Sequence, residues 1–325
     1  MSKIAVVTGV TGQDGALLSN FLLQKDYQVV GVVRRTSSPS VWRLQELGVL
    51  NNSNFCMVSG DITDQGSIDR IVSTYKPDEL YNLAAQSFVG ISWDQPELTM
   101  NITGLGAIKV FESVRKHNPS TKIYQASSSE MFGGAYRTEL LNEESSFCPR
   151  SPYGVAKCTA HHMAKVYRES YHLFISCGIL FNHESEYRGL EFVTRKITDG
   201  VAKIKLGLAD SIQLGNLQTH RDWGYAKDFV EGMWLMLQHI IPRDFVLATG
   251  KEHSVEEFVK TAFEVVGIDD YKSYIAIDPK FNRPADVGFL LGDASRAKNY
   301  FNWKPKVSFE EMIKLMVEKD IKRLS

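Results

Sequence analysis

Ile4-Ala5-Val6-Val7-Thr8-Gly9-Val10-Thr11-Gly12-Gln13-Asp14-Gly15 is the stretch on which the fold turns. An apolar strand candidate runs straight into three glycines, Gly9, Gly12 and Gly15, and then into a helix candidate. Strand, glycine turn and helix in that order build a cradle for a pyrophosphate. Glycine lets the backbone turn sharply and approach the phosphates, and the helix start aims unsatisfied N–H groups and a positive dipole end at them. The spacing is GxxGxxG rather than GxGxxG, and glycine triples also arise in ordinary turns, so the neighbouring segments must carry the reading.

Moving outward, a second apolar run, Gln28-Val29-Val30-Gly31-Val32-Val33, ends in Arg34-Arg35. It lies about twenty residues past the glycines, where a dinucleotide fold reads the adenosine ribose. An acid there would bond the 2′-hydroxyl of NAD, whereas two arginines offer charge-assisted donors to a 2′-phosphate, so the cofactor expected is NADP. A third run, Phe55-Cys56-Met57-Val58, ends in Ser59-Gly60-Asp61-Ile62, placed to face the adenine. A fourth, Glu79 to Leu83, ends in the small residues Ala84-Ala85-Gln86-Ser87, which let the chain pass close to a nicotinamide or its ribose.

Short β-branched runs alternate with amphipathic stretches up to residue 180. Helices are expected over 14–24, 65–74, 96–116 and 152–171, with further strands over 122–126 and 173–180. That alternation predicts an α/β fold, a Rossmann-like doubly wound parallel sheet covered on both faces. Beyond Leu180 the pattern loosens, with helices expected near 194–206, 226–238, 254–266 and 308–319 and a strand near 245–248. We read residues 1–180 as a dinucleotide-binding domain to which 226–249 return, and 181–225 with 250–325 as a smaller α/β substrate domain.

The chain has 325 residues, 43% hydrophobic and 23% charged, with net charge -1, which suits a globular protein and offers no surface for nucleic acid. Cys56, Cys148, Cys158 and Cys177 are widely spaced and form no CxxC pair, so they are expected to be reduced packing residues of a cytoplasmic protein. His161 and His162 diverge on a helix and make a poor metal pair. No metal is expected, and no apolar run has the length of a membrane span.

Tyr153 and Lys157 stand four residues apart, on one face of a helix. An ammonium beside a phenol favours the phenolate and is expected to lower its pKa from about 10, so that the tyrosine can take a proton from a sugar hydroxyl. Tyr300 and Lys304 repeat the spacing just before Pro305, with no serine or acid cluster ahead of them, and are read as a decoy. The strand at 122–126 runs into Ser127-Ser128-Ser129-Glu130, placing hydroxyls and one carboxylate at its C-terminal end. Glu130 is the discriminating residue. An alcohol dehydrogenase needs no second base, whereas a carboxylate beside the active hydroxyl suits proton abstraction from carbon. Once a sugar is oxidised at C4, its C5 proton is acidic, and its removal expels the C6 hydroxyl as water.

Ser128, Tyr153 and Lys157 with GxxGxxG match the extended short-chain dehydrogenase/reductases. More closely, the chain resembles the GDP-mannose 4,6-dehydratases through Thr8–Gly15, Asn82–Ser87, Tyr124–Glu130, Pro149–Tyr153, Leu180–Ser185, Phe192–Thr198, Leu214-Gly215-Asn216, Arg221–Gly224 and Arg283-Pro284-Ala285. The resemblance implies Tyr153 as base, Glu130 as carbon base and Ser128 polarising the C4 oxygen. It implies NADP at Gly9, Thr11, Gly12, Gln13, Asp14, Gly15, Arg34, Arg35, Asp61, Ile62, Leu83, Ala84, Ala85, Gln86, Ser87, Lys157, His183 and Arg188. It also implies a GDP-sugar at Ser87, Asn182, Val193, Lys196, Gly215, Arg221, Arg283 and Asp286. The loop over 34–42 resembles one that reaches a neighbouring subunit's cofactor, which implies a homo-oligomer built as a dimer of dimers.

Four departures stand out. Ser128 replaces a usual Thr and keeps the hydroxyl. Glu186-Tyr187 replaces a usual Pro and a basic or apolar residue. Asp286 replaces Glu, and 269–278 lacks much of an insertion. All but the first are expected on the substrate side, where they bear on the identity of the sugar nucleotide. The alternatives to GDP-mannose dehydration are dehydration of a related GDP-sugar such as a heptose, a sugar-nucleotide epimerase or reductase, and a non-catalytic NADP-binding protein. Retention of Ser128, Glu130, Tyr153 and Lys157 together argues against the last.

Overall fold

Seven parallel strands form the central sheet in the order β11-β6-β5-β4-β1-β2-β3. The computed structural model describes residues 2–38, 40–133, 140–281, 287 and 290–325. Arg283 and Asp286 lie outside the described residues.

The chain enters through β1 (Ile4–Thr8), α1 (Gln13–Leu23), β2 (Gln28–Val33), α2 (Trp42–Glu46), β3 (Phe55–Ser59), α3 (Gln65–Tyr75) and β4 (Glu79–Asn82). It continues through α4 (Pro96–Thr99), a π-helical stretch (Met100–Leu105), α5 (Gly106–His117), β5 (Lys122–Ser128), α6 (Pro152–Tyr171) and β6 (Ile175–Leu180). The second part holds β7 (Asn182–Glu184), α7 (Val193–Lys205), β8 (Ile212–Leu214), β9 (His220–Arg221), β10 (Trp223–Tyr225), α8 (Ala226–Gln238) and β11 (Phe245–Leu247). It ends with β12 (His253–Ser254), α9 (Val255–Val265), β13 (Ile275–Ile277), α10 (Ser295–Phe301) and α11 (Phe309–Leu324).

Strands buried on both faces read as continuous apolar runs, and β1 and β6 show it. One face of the sheet packs on α1 and α8 through Leu17, Leu18, Phe229 and Met233, and the other on α3, α5 and α6 through Ile71, Val110, Phe111 and Ala164. Helix α8 and strand β11 return to the sheet, with β11 pairing parallel to β6. A separate core joins α7, α9 and α11 through Ile197, Phe258, Phe263 and Met316.

The strand order reverses between β1 and β4, and that switch point opens the crevice where ligands of such sheets bind. Three expectations needed correction. The single helix over 96–116 is broken by the π stretch, which brings Thr103 Oγ1 to the Gln86 N–H at 3.1 Å. Cys56 and Cys148 are exposed, Cys56 because β3 is the sheet's edge strand, so only Cys158 and Cys177 act as packing residues. The short strands β7, β8, β9, β10, β12 and β13 had no counterpart in the sequence reading.

Candidate active site

At the crevice, Gly9 has φ +68°, in the left-handed region, and a Cβ there would meet the Ala84 backbone nitrogen at 2.9 Å. Gly12 donates its N–H to Gly9 O at 3.0 Å and a Cβ on it would meet only that oxygen. A Cβ on Gly15 would lie 2.3 Å from Gly9 O. The three glycines thus do separate jobs: turning the chain, keeping the surface of the turn bare, and letting α1 pack onto the turn. Helix α1 starts at Gly12 with no side-chain cap, so its first N–H groups are available to an anion. A dinucleotide pyrophosphate fits this cradle.

Behind the turn runs a buried polar row that sequence reasoning missed. Thr8 Oγ1 donates to Asn82 Oδ1 at 2.8 Å and accepts the N–H groups of Leu83 and Ala84, both at 3.1 Å. Asn82 Nδ2 donates to Gln125 Oε1 at 2.8 Å, and Gln125 Nε2 to Ala126 O at 3.1 Å. The three side chains meet because the sheet register sets Thr8 beside Asn82 and Asn82 beside Gln125, an alignment that only the fold supplies.

Ser128, Glu130, Tyr153 and Lys157 come together at the end of β5. Ser151 caps α6 by accepting the Gly154 N–H at 3.0 Å, and Pro152 opens the helix. The loop after β5 turns on Ser128, whose Oγ accepts the Glu130 N–H at 3.2 Å. The Glu130 carbonyl would lie 2.9 Å from a Cβ on Gly154, so the loop and the first turn of α6 are in contact. Lys157 Nζ donates to Ala126 O at 2.7 Å and sits 5.7 Å from the Tyr153 ring centre.

The electrostatics differ from the sequence expectation. Burial pushes the Tyr153 phenol up to about 12, against a hydrogen bond with Ser128 and with the Glu130 carboxylate adding to the rise. Burial also brings Lys157 down to about 8, opposed by the Asp14 carboxylate. Burial dominates both groups, and the Lys157 ammonium faces the Ala126 carbonyl.

Asp14 and His183 close the cradle from the other side. Their side chains meet at 2.9 Å, His183 Nδ1 lies 2.7 Å from Phe181 O, and the imidazole stacks on Phe229 with centroids 4.8 Å apart. Burial alone would raise the Asp14 carboxyl, but the His183 imidazole holds it at about 2. Burial lowers the His183 pKa, and the carboxylate more than reverses that.

The remaining expected cofactor residues are placed as follows. Arg34 and Arg35 are exposed at the end of β2. The Asp61 carboxylate accepts the Thr63 N–H and hydroxyl at 2.8 and 2.7 Å, and Ile62 is buried against Gly106. Ala85 is half-buried, Gln86 donates to Phe88 O, and Ser87 is exposed. Arg188 pairs with Glu184 at 3.0 Å and lies 3.5 Å over the Phe192 ring.

On the expected substrate side, Asn182 pairs with Trp223 in the β7–β10 ladder, and Val193 opens α7, which also lacks a side-chain cap. Lys196 Nζ lies 3.4 Å over the Phe281 ring, Gly215 follows β8, and buried Arg221 donates to His220 O at 2.7 Å. Glu186 and Tyr187 were expected to bear on the sugar. The structure instead turns Glu186 to the Tyr225 hydroxyl at 3.1 Å and the Lys227 ammonium at 2.9 Å, and packs Tyr187 on Trp42. Both are drawn inward because a buried carboxylate needs donors and an aromatic ring needs a packed face. Among the described residues no group of three or more His, Cys, Asp or Glu side chains could hold a metal ion, and no helix is long and apolar enough to cross a membrane.

A doubly wound parallel sheet with a glycine cradle at its switch point defines a Rossmann-type fold, the one shared by solved sugar-nucleotide epimerases and dehydratases. A sequence model of the family described as GDP-mannose 4,6 dehydratase matches residues 6–316. GDP-mannose 4,6 dehydratase 1 of Arabidopsis thaliana is 47% identical over 327 residues, covering 98% of this chain and 90% of its own. Among solved structures, dTDP-glucose 4,6-dehydratase of Bacillus anthracis, in complex with NAD, superposes with a TM-score of 0.86 at 22% identity, covering 99% of this chain and 97% of its own. RMD from Pseudomonas aeruginosa, in complex with NADPH, gives 0.81 at 19% identity, covering 99% of this chain and 100% of its own. The chain belongs to the GDP-mannose 4,6-dehydratase family.

Proposed function

We propose that this protein is an NADP-dependent hydro-lyase that converts GDP-mannose to GDP-4-dehydro-6-deoxy-D-mannose and water. The observation that carries the chemistry is the position of Glu130. It lies two residues past Ser128 at the C-terminal end of β5, against the first turn of the helix that bears Tyr153.

A bound nicotinamide supplies reversible two-electron chemistry, used at C4 of the sugar and returned at C6. The chain's own residues do the rest. The Ser128 hydroxyl polarises the C4 oxygen, and Tyr153 takes the C4 hydroxyl proton. Lys157 lies one turn further along α6, where it can hold a cofactor ribose and lend its charge to the phenol. Glu130 removes the C5 proton, acidic because it is α to the C4 carbonyl, and passes it to the C6 hydroxyl, which leaves as water; the proton held by Tyr153 then returns to C5 as C6 is reduced. C4 is oxidised and C6 reduced, so there is no net redox change.

Arg34 and Arg35, which stand at the end of β2 in place of an acid, support the reading of NADP rather than NAD. The uncapped start of α7, with Lys196, Arg221, Arg283 and Asp286, is the proposed GDP side. Four free cysteines fit a reducing, cytoplasmic setting. The loop over 34–42, exposed at residues 34–38, is proposed to join subunits in a dimer of dimers.

The test is incubation of the purified chain with GDP-mannose and a panel of nucleotide sugars, with products weighed for loss of one water. Loss from GDP-mannose without added cofactor turnover is expected. Loss from another nucleotide sugar only, or from none, rejects the reading.

A further inference from the structure

The departure at Glu186-Tyr187 has a structural role of its own. The Tyr187 and Trp42 rings lie 6.1 Å apart at 30°. The Arg323 guanidinium, from the end of α11, lies over both, 5.4 and 5.0 Å from their centres. Arg323 also holds the Glu46 carboxylate through Nε and Nη2 at 3.0–3.1 Å and donates to Glu186 O. These contacts make a fixed wall, and Arg43 is mounted on it. Its guanidinium lies 4.5 Å from the Trp42 ring centre, and its Nε donates to Tyr187 O at 2.6 Å. Its Nη1 donates to Thr11 O at 3.1 Å.

Thr11 O belongs to the middle of the glycine turn. A peptide unit points its carbonyl and its N–H in opposite directions, so holding Thr11 O toward Arg43 fixes the Gly12 N–H, which closes on Gly9 O. With that unit fixed, the first free N–H groups of α1 have a fixed direction as well. Side-chain bonds act in the same sense. Ser185 Oγ donates to Gln13 Oε1 at 2.8 Å and Gln13 Nε2 to His183 O at 3.1 Å.

We propose that Arg43 is a positioning residue for the dinucleotide: it locks the Gly9–Gly12 turn in its pyrophosphate-binding shape, and Trp42, Tyr187 and Arg323 are the frame that holds it there. The proposal rests on the dinucleotide reading above. A lysine cannot replace Arg43, since one ammonium does not reproduce a planar fork that spans two carbonyls and stacks on a ring.

The test is calorimetric titration of NADP, and separately of GDP, into wild type, Arg43→Ala, Arg43→Lys and Arg323→Ala, each with its Tm. Arg43→Ala is expected to weaken NADP binding roughly 10- to 100-fold, since charge-assisted hydrogen bonds are lost. Arg43→Lys should weaken it by a smaller factor, and Arg323→Ala by roughly 3- to 10-fold although Arg323 touches no part of the turn. GDP binding should stay within about twofold in every variant, which separates positioning from general loosening. NADP affinity within twofold of wild type in Arg43→Ala overturns the proposal, as does a parallel loss of NADP and GDP. If Arg43→Ala does not fold, unchanged NADP affinity in Arg323→Ala and Arg43→Lys overturns it. A wild-type protein that binds neither NADP nor NAD would reject the cofactor reading instead, a different outcome from an unaffected variant.

Discussion

Tyr153 in α6 and Tyr300 in α10 each stand four residues before a lysine, and only the first pair shares a helix face. In α6 the helix runs on well past Lys157, both side chains are buried, and the Lys157 ammonium reaches Ala126 O on β5. Helix α10 ends at Phe301, and Asn302 takes φ +54°, so Lys304 lies outside the helix and shares no face with Tyr300. Tyr300 is 42% exposed and packs edge-on against Phe245. Four-residue spacing therefore means a shared face only where the helix continues, and means chemistry only where that face lies on the C-terminal edge of the sheet.

The strongest way to break this comparison is to remove both phenols in turn. Tyr153→Phe is expected to lower turnover of GDP-mannose by on the order of a thousandfold, the scale of a lost positioned base, whereas Tyr300→Phe stays within about twofold. Equal losses in the two variants, measured as product formed per enzyme, would show that α6 holds no privileged tyrosine.

Glu130→Gln sharpens the contrast, because α10 has no carboxylate counterpart. Water elimination is expected to fall by roughly a hundred- to a thousandfold. Exchange at C4 should survive, since Ser128, Tyr153 and Lys157 are untouched. Single-turnover absorbance of the reduced nicotinamide reads the first step and product mass reads the second. Full elimination activity in this variant removes Glu130 from the mechanism.

What the sequence made legible follows the same logic. The first six strands and the helices α1, α3, α5 and α6 show their periods, whereas α2, with five residues, is too short to show one and was not read; α6 announces its start through Ser151 and Pro152. Beyond residue 180 the short strands have two or three residues each, too few for any period, and β9 meets β12 only through a contact 32 residues away. The same holds in the site. The glycine turn and the Tyr153 pair are local patterns and could be read. The Thr8–Asn82–Gln125 row joins three strands and Arg43 joins two loops, so neither existed as a pattern until the chain had folded. The Tyr153 phenol is pushed up rather than down for a related reason: spacing shows that a lysine is near, but not how deeply the fold buries the phenol.

A smaller effect is expected at the ribose end. Replacing Arg34 and Arg35 together by serine should reduce the preference for NADP over NAD roughly tenfold or more, read as the ratio of the two dissociation constants. An unchanged ratio would move the 2′-phosphate contact away from β2.

The smallest effect separates the two lysines without any ligand. Lys157 has a folded-state pKa of about 8, below its ordinary 10.5, because burial disfavours the ammonium. A base depressed by folding penalises the folded state wherever both states are protonated, which is the range below pH 8. Between 8 and 10.5 the unfolded chain keeps a proton that the folded chain releases, so the penalty fades as pH rises. Lys157→Met should therefore raise the Tm of the ligand-free protein by a few degrees at pH 7, on the order of 2 kcal/mol, with the gap closing toward pH 10. The Ala126 carbonyl would not be orphaned, since Gln125 Nε2 already donates to it. Lys304→Met, at an exposed position outside any helix, should leave the Tm at pH 7 within about a degree of wild type. A Lys157→Met protein less stable than wild type at pH 7 would mean that the bond to Ala126 outweighs the cost of burial. The lysine would then be kept in place for the fold as well as for the chemistry.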